Sequence, residues 1–399
     1  MKKFISTFMI LALAFSITAC SAGNTAENLP SSGQTAGESA PAPEQDAAQT
    51  TDSNEQDVAS TEQGSQQNSA EPAQAGTDAD SPDAASAQVT YPVTLTDQLG
   101  RQVVIEKEPE TLVSGYYIST SLLLALNCQD RLTGIEAKAK TRALYRLSAP
   151  SIIDLPSVGS AKEFDLEGCA ALNPDLVILP ARLQDVIPTL EELGITVLAV
   201  NPENQELLEE AARLIGTATN TLPAADALFQ SAGDCLAKLD DTLADTKKPS
   251  VYLAGNSSFL STAGTNMYQS ALIAQAGGIN AASELTDNYW SEISYEQLLA
   301  WNPEYIIAAS DASYTVDSIL NDPNLSECEA VKNGRVYQLP NAIEAWDSPV
   351  PGSFVGSLWL ASILHPDQYP DSQWKEAATA FYETFYRFTP DLENLYESD

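Results

Sequence analysis

The chain has little positive charge. Its 399 residues carry 19 Lys and Arg against 55 Asp and Glu, a formal net charge of −36. There is no basic stripe to neutralise phosphates, which argues against nucleic acid as a partner. The same balance argues against a polybasic contact with anionic lipid. Histidine is almost absent: His365 is the only one, in an apolar C-terminal stretch ahead of Pro366. It reads as a structural residue, and a Ser-His-Asp triad would have to use it. No H-E-x-x-H, G-x-S-x-G or close-spaced His/carboxylate set occurs, so the motifs of metal-dependent hydrolysis and acyl transfer are missing. The five cysteines show no C-x-x-C spacing, which argues against a zinc site or a dense disulfide scaffold. Cys128, Cys169, Cys235 and Cys328 are expected as buried free thiols, and one long-range disulfide is compatible with their spacing.

The N-terminus is not part of a globular domain. Lys2 and Lys3 precede an apolar run from Phe4 to Phe15, too short for a convincing membrane span and typical of a secretory signal peptide over residues 1–19. It ends in Ile17-Thr18-Ala19-Cys20. An aliphatic residue, two small residues and Cys resemble the lipobox of bacterial lipoproteins, in which the Cys becomes the mature N-terminus and carries lipid. More than one acyl chain gives stable anchoring. The alternative is an ordinary signal cut nearby, with Cys20 incidental.

Residues 21–88 carry twelve Asp or Glu, no Lys or Arg, and almost no aliphatic or aromatic residues. Such a segment cannot bury enough apolar surface to offset its ordering entropy. With Cys20 it is expected to form a lipidated, disordered, self-repelling tether over residues 20–88.

From about Val89 the composition is globular. "VTLTDQLGRQVVI" (residues 93–105) alternates around a Gly-bearing turn and predicts a β-hairpin. A β/α alternation follows, with "TLVS", "DLVIL" and "ITVLAV" as buried strands. A long helical pattern runs from Ala224 to about Thr246, and "PSVYLAG" then restarts the alternation. The fold class is therefore α/β: two Rossmann-like β/α lobes, residues 89–223 and 247–399, joined by one interlobe helix over 224–246.

Each lobe contains the same phrase. "DLEGCAALNPDLVI" starts at Asp165 and "SYEQLLAWNPEYII" at Ser294. Both put Glu third and Asn-Pro ninth and tenth. Repeated β/α architecture explains the Asn-Pro stop before a strand. It does not require the glutamates, Glu167 and Glu296, although a first-turn Glu suits the helix dipole.

Several stretches together resemble one family. "VTLTDQLGRQVVIEKEPETLVS", "LLLALNCQDRLTGIEA", "LEGCAALNPDLVI", "ISYEQLLAWNPEYIIAAS" and "AVKNGRVYQLP" are similar, in order, to the substrate-binding proteins of iron–siderophore, haem and vitamin B12 ABC importers. The likeness covers nearly all of residues 91–388. It implies a rigid interlobe helix, a ligand cleft between the lobes and closure by small tilts. It also implies that Glu167 and Glu296, one per lobe, meet arginines of the permease; Glu163 and Glu292 repeat with the same offset. No catalysis and no cofactor are implied, and a monomer is expected.

In such a fold the cleft is lined by the loops after the strands. These carry Tyr116, Tyr117, Arg142, Tyr145, Arg146 and Arg182 on the first lobe, and Phe259, Tyr289, Trp290 and Trp346 on the second. Aromatics give stiff apolar contact and arginines hold carboxylates bidentately. Each has a plainer alternative, turn packing for the tyrosines and surface charge for the arginines. The set suits a bulky, partly anionic chelate or a corrinoid. Related B12 binders place a tryptophan where Trp290 stands, but no tryptophan flanks "DLEGCAALNPDLVI", which weakens a corrinoid. Without a cleft His, Tyr is the expected direct ligand if iron or haem is held. A lipid-anchored receptor on the outer face of the membrane is the leading expectation. A solute sensor and an extracellular metal-dependent hydrolase on the same fold are the alternatives.

Overall fold

The computed structural model describes residues 88–396. The signal segment, Cys20 and the tether up to residue 87 lie outside the described residues. The expected hairpin is β1 (Val93–Thr96) and β2 (Gln102–Ile105), paired antiparallel. Asp97 builds its turn by accepting the backbone N–H of Leu99 and Arg101 at 3.0 and 2.9 Å. Asp97 also accepts the Ala199 N–H at 3.2 Å, which ties the hairpin to the first lobe.

That lobe holds a parallel sheet of β3 (Leu112–Ser114), β4 (Leu132–Ile135), β5 (Leu176–Pro180) and β6 (Thr196–Val200), in the order β4-β3-β5-β6. Its helices are α1 (Tyr117–Ala125), α2 (Ala143–Ser148), α3 (Leu166–Ala171), α4 (Ile187–Glu192) and α5 (Gln205–Ala218). Side chains alternate across a strand, and both faces here are apolar. Leu112, Ile178 and Leu198 face the central core, while Val113, Val177 and Val197 face a smaller outer cluster.

The interlobe helix is α6, Leu222–Leu243, with Pro223 in its first turn. Pro suits that position because its missing N–H would have no intrahelical partner there. Ala225, Leu228, Ala232, Leu239 and Leu243 form its buried stripe.

The second lobe contains β7 (Ser250–Ala254), β8 (Ser261–Thr262), β9 (Ile279–Asn280), β10 (Ser291–Glu292), β11 (Tyr305–Ala308) and β12 (Val336–Gln338). The strand order is β10-β8-β7-β11-β12, with β9 also on β7. The pairs of β7 with β11 and of β11 with β12 are parallel. Its helices are α7 (Tyr268–Gln275), α8 (Tyr295–Trp301), α9 (Val316–Leu320), α10 (Glu329–Lys332), α11 (Ser353–Leu364) and α12 (Asp371–Phe381). Nearly every residue of α11 is buried, as expected of a helix apolar all round. Each buried leucine on it contributes at most about 1.5–3 kcal/mol.

Three features bear on the sequence expectations. The four cysteines beyond Cys20 are free thiols. His365 is buried, with Nε2 3.2 Å from the Gly277 carbonyl, and burial pushes its pKa down. The chain end, grouped by sequence with the second lobe, reaches back across the molecule. After α12 comes a π-helical turn, Tyr382–Tyr386. The Tyr386 hydroxyl lies 3.0 Å from Ser121 Oγ on α1, and Arg387 Nη1 donates to the Leu124 carbonyl at 3.0 Å.

Candidate functional site

The first wall begins at the carboxyl end of β3. Gly115 donates its N–H to the Ile178 carbonyl at 3.0 Å. A Cβ there would come within 2.6 Å of Leu179 Cδ2, so any larger residue would have to push that leucine aside. The chain then presents Tyr116 and Tyr117 at the start of α1. Their rings meet edge to face at 5.1 Å. The Arg142 guanidinium lies 4.4 Å from the Tyr117 ring centre, and that of Arg182 lies 5.9 Å from the Tyr116 ring. Burial raises the pKa of both phenols; Tyr117 and Glu203 add to the effect at Tyr116, and Arg142 opposes it at Tyr117. Both are neutral at neutral pH, so metal ligation would have to displace a proton. No cluster of three or more His, Cys, Asp or Glu suited to a metal ion occurs among the described residues.

The stretch "KTRALYR" (residues 140–146), which carries Arg142, Tyr145 and Arg146, is not wholly the loop expected from sequence. Ala143–Ser148 is helical, and it turns Tyr145 inward to 1% exposure. The Tyr145 hydroxyl lies 2.7 Å from Glu136 Oε1 and 3.1 Å from the Tyr117 carbonyl. Tyr145 therefore supports the wall from behind. Arg146 is exposed on the same helix.

The second wall begins at the carboxyl end of β7. Trp290 covers Gly255, where a Cβ would meet its ring at 2.9 Å. Tyr289 beside it is 41% exposed. Phe259 turns into its own lobe, edge to face with Tyr295 at 6.1 Å and Tyr314 at 5.7 Å. Trp346 was expected on the cleft surface, but the structure places it in the core at 1% exposure. Its Nε1 donates to the Tyr382 hydroxyl at 2.8 Å, and its ring packs on Trp374. The two residues after it, Asp347 and Ser348, are buried as well. Asp347 accepts the Ser310 N–H at 2.9 Å and the Ser310 hydroxyl at 2.6 Å, and burial pushes its pKa up.

The walls touch. The Leu144 N–H donates to the Ile343 carbonyl at 3.1 Å, and the Ser348 side chain lies near enough to the Tyr117 hydroxyl to lower its pKa. Asp311, just past β11, is pushed up by burial and pulled down by Arg142 and Lys138 across the gap. The first wall is thus aromatic and basic, and the second is aromatic and acidic. Such a cleft can stack a flat or bulky solute and hold an anionic group bidentately.

Glu167 and Glu296 lie in the first turns of α3 and α8, both exposed. Asp165 caps the first helix by accepting the Gly168 N–H at 2.8 Å, and Ser294 caps the second by accepting the Gln297 N–H at 3.2 Å. Both helices begin at the cleft end of their lobes. Phe164 lies 3.4 Å from the position of a Gly115 Cβ, and Ile293 donates its N–H to the Leu260 carbonyl in the loop beyond β7. The residues that sequence reasoning missed are Glu136, Asp311 and Ser348. Glu136 and Asp311 carried a usable signal: each is an acid within a few residues of a strand's carboxyl end, where open α/β sheets gather their ligands.

Comparison with known proteins agrees with this architecture. Residues 112–343 match the periplasmic binding protein family. The molybdate-binding protein MolA of Haemophilus influenzae is 24% identical over 326 residues, 74% of this chain and 92% of that relative. The uncharacterized ABC transporter substrate-binding lipoprotein YvrC of Bacillus subtilis is 26% identical over 311 residues, 75% of this chain and 94% of its own. A periplasmic solute binding protein from Veillonella parvula has a TM-score of 0.67 at 27% identity, covering 76% of this chain and 95% of that one. With two β/α lobes meeting at one cleft and a family match over more than half its length, the chain belongs to the periplasmic binding proteins: it is a substrate-binding protein of ABC importers and not an enzyme.

Proposed function

We propose that this protein is a lipid-anchored receptor on the outer face of the cell membrane. It captures an iron–siderophore chelate, haem or a corrinoid and delivers it to an ABC permease. One feature supports the choice of solute: Tyr116, Tyr117 and Arg142 gather on one wall, and the other wall carries Trp290 over Gly255. That much stiff aromatic surface suits a bulky cargo with an anionic edge. A small oxyanion such as molybdate, which the Haemophilus relative binds by name, is the second reading, and it would rest on the arginines alone.

Cys20 supplies the anchor and residues 20–88 the reach. Lobes 89–223 and 247–399, joined through 224–246, bind the solute as a monomer. Glu167 and Glu296 dock on the permease. Purification from the native host, with absorbance and mass spectrometry of whatever co-purifies, tests the solute. A ferric or tetrapyrrole chromophore in stoichiometric amount is expected. Bound molybdenum without an organic chromophore would overturn the bulky-cargo reading.

A further inference from the structure

Glu136 follows β4 and is 7% exposed. Three donors converge on its carboxylate. Thr120 Oγ1 of α1 lies 2.8 Å from Oε2. The Tyr145 hydroxyl of α2 lies 2.7 Å from Oε1, and Arg142 Nε lies 3.0 Å from the same oxygen. The Nε edge of the guanidinium is therefore occupied. Among the described residues its side chain makes no other hydrogen bond, so both Nη groups of the planar fork are unspent. The guanidinium lies over the Tyr117 ring, 4.4 Å from its centre, and 30% of the side chain is exposed. Asp311 on the opposite wall influences it but forms no ion pair with it.

We propose that Glu136 is a positioning residue for solute recognition: by holding Nε, it aims the two Nη groups of Arg142 at a carboxylate or oxyanion of the cargo. This rests on the proposed receptor role of the cleft and names the chemical group that Arg142 takes. A free arginine is a long, mobile side chain, and ordering it on binding costs affinity. Here the ordering is done in advance by a buried acceptor that the solute does not touch. Glu136 also sits directly behind the fork, with Oε1 3.0 Å from Arg142 Nε, so Arg142 stays paired when the cleft is empty.

The test uses the full chain with two anionic probes, ferric citrate and molybdate, followed by calorimetry. Glu136→Gln keeps size and shape. It is expected to weaken the probe that binds by about tenfold, the scale of one immobilised side chain. It should also abolish a slowly exchanging Arg142 Nε–H resonance present in the wild type. In an Arg142→Gln background the same change should add nothing, because its effect runs through Arg142. Equal losses in both backgrounds would show a merely structural role and overturn the proposal. So would unchanged affinity, or a wild type that takes neither anion. If Glu136→Gln does not fold, Arg142→Lys keeps the charge but loses the fixed fork, and full affinity in that variant is equally fatal. A solute co-purified from the host would load in any of these cases, so failure here leaves the receptor function standing.

Discussion

Asn173 and Asn302 hold the same left-handed backbone, at φ 47° and φ 44°, each just past a short helix and each followed by proline. Asparagine tolerates that conformation better than most residues, and proline cannot continue the helix. The Asn-Pro of each repeated phrase is therefore stop chemistry that feeds β5 and β11. Capping and strand entry do not require the glutamates, although the Ser294 side chain lowers the pKa of Glu296. Asp165 and Ser294 already cap the two helices, and Glu167 and Glu296 point to solvent.

Paired exposed carboxylates on two similar lobes suit a partner with two-fold symmetry. Rim charges of this kind set encounter rate and register more than affinity. Glu167→Ala and Glu296→Ala are expected to leave solute binding intact and to slow uptake, the double variant most. Glu163 and Glu292 belong in the same series. Normal uptake by the double variant across a range of salt would reduce the repeat to architecture.

Trp290 is the largest of the expected aromatics left on the second wall, where it lies over Gly255. Trp290→Ala is expected to weaken binding of the natural solute by roughly 1–3 kcal/mol, with quenching of tryptophan fluorescence by that solute reduced. A folded variant with unchanged affinity would take Trp290 out of the site.

The lobes, the hairpin and the interlobe helix were legible because period-2 and period-3.6 patterns report burial directly. Cleft membership was harder, since neighbours in sequence can face opposite ways. Trp346 looked like Trp290 in type and in its loop setting. Yet Trp346 is drawn into the core by Tyr382 and Trp374, residues almost thirty or more positions further along the chain. The place of Glu136 just past β4 was a usable signal, but its role was hidden for a similar reason. Its importance comes from Thr120, Arg142 and Tyr145 converging from separate elements, and no spacing rule records that.

Burial pushes the carboxyl of Glu344 up to about 7, and its one partner is the Tyr382 hydroxyl at 2.8 Å. The fold thus prefers the protonated form. Below about pH 4.5 the group is protonated in folded and unfolded chains alike and carries no penalty. Between about 4.5 and about 7 only the unfolded chain ionises, so stability falls as pH rises; above that the loss is constant, on the order of 1–3 kcal/mol. Glu344→Gln should flatten this part of the curve, as read from denaturant midpoints near pH 5 and about pH 8. A variant with the wild-type slope would show that other groups set it.

The acidic segment ahead of the lobes is expected to be dispensable for capture. A chain starting near Val89 should hold solute with unchanged affinity in calorimetry, because the cleft draws on residues from 116 onward. A large loss would mean that the segment folds onto the site.

The π-helical turn after α12 and the central core together make the two lobes one folding unit. Leu122 and Leu198 of the first lobe share a single cluster with Leu253, Ile307 and Phe354 of the second, and Tyr386 fastens to the helix that begins at the cleft. Severing the chain at α6 would therefore leave each half with an open wound of apolar surface, and solute capture cannot be handed to either half alone.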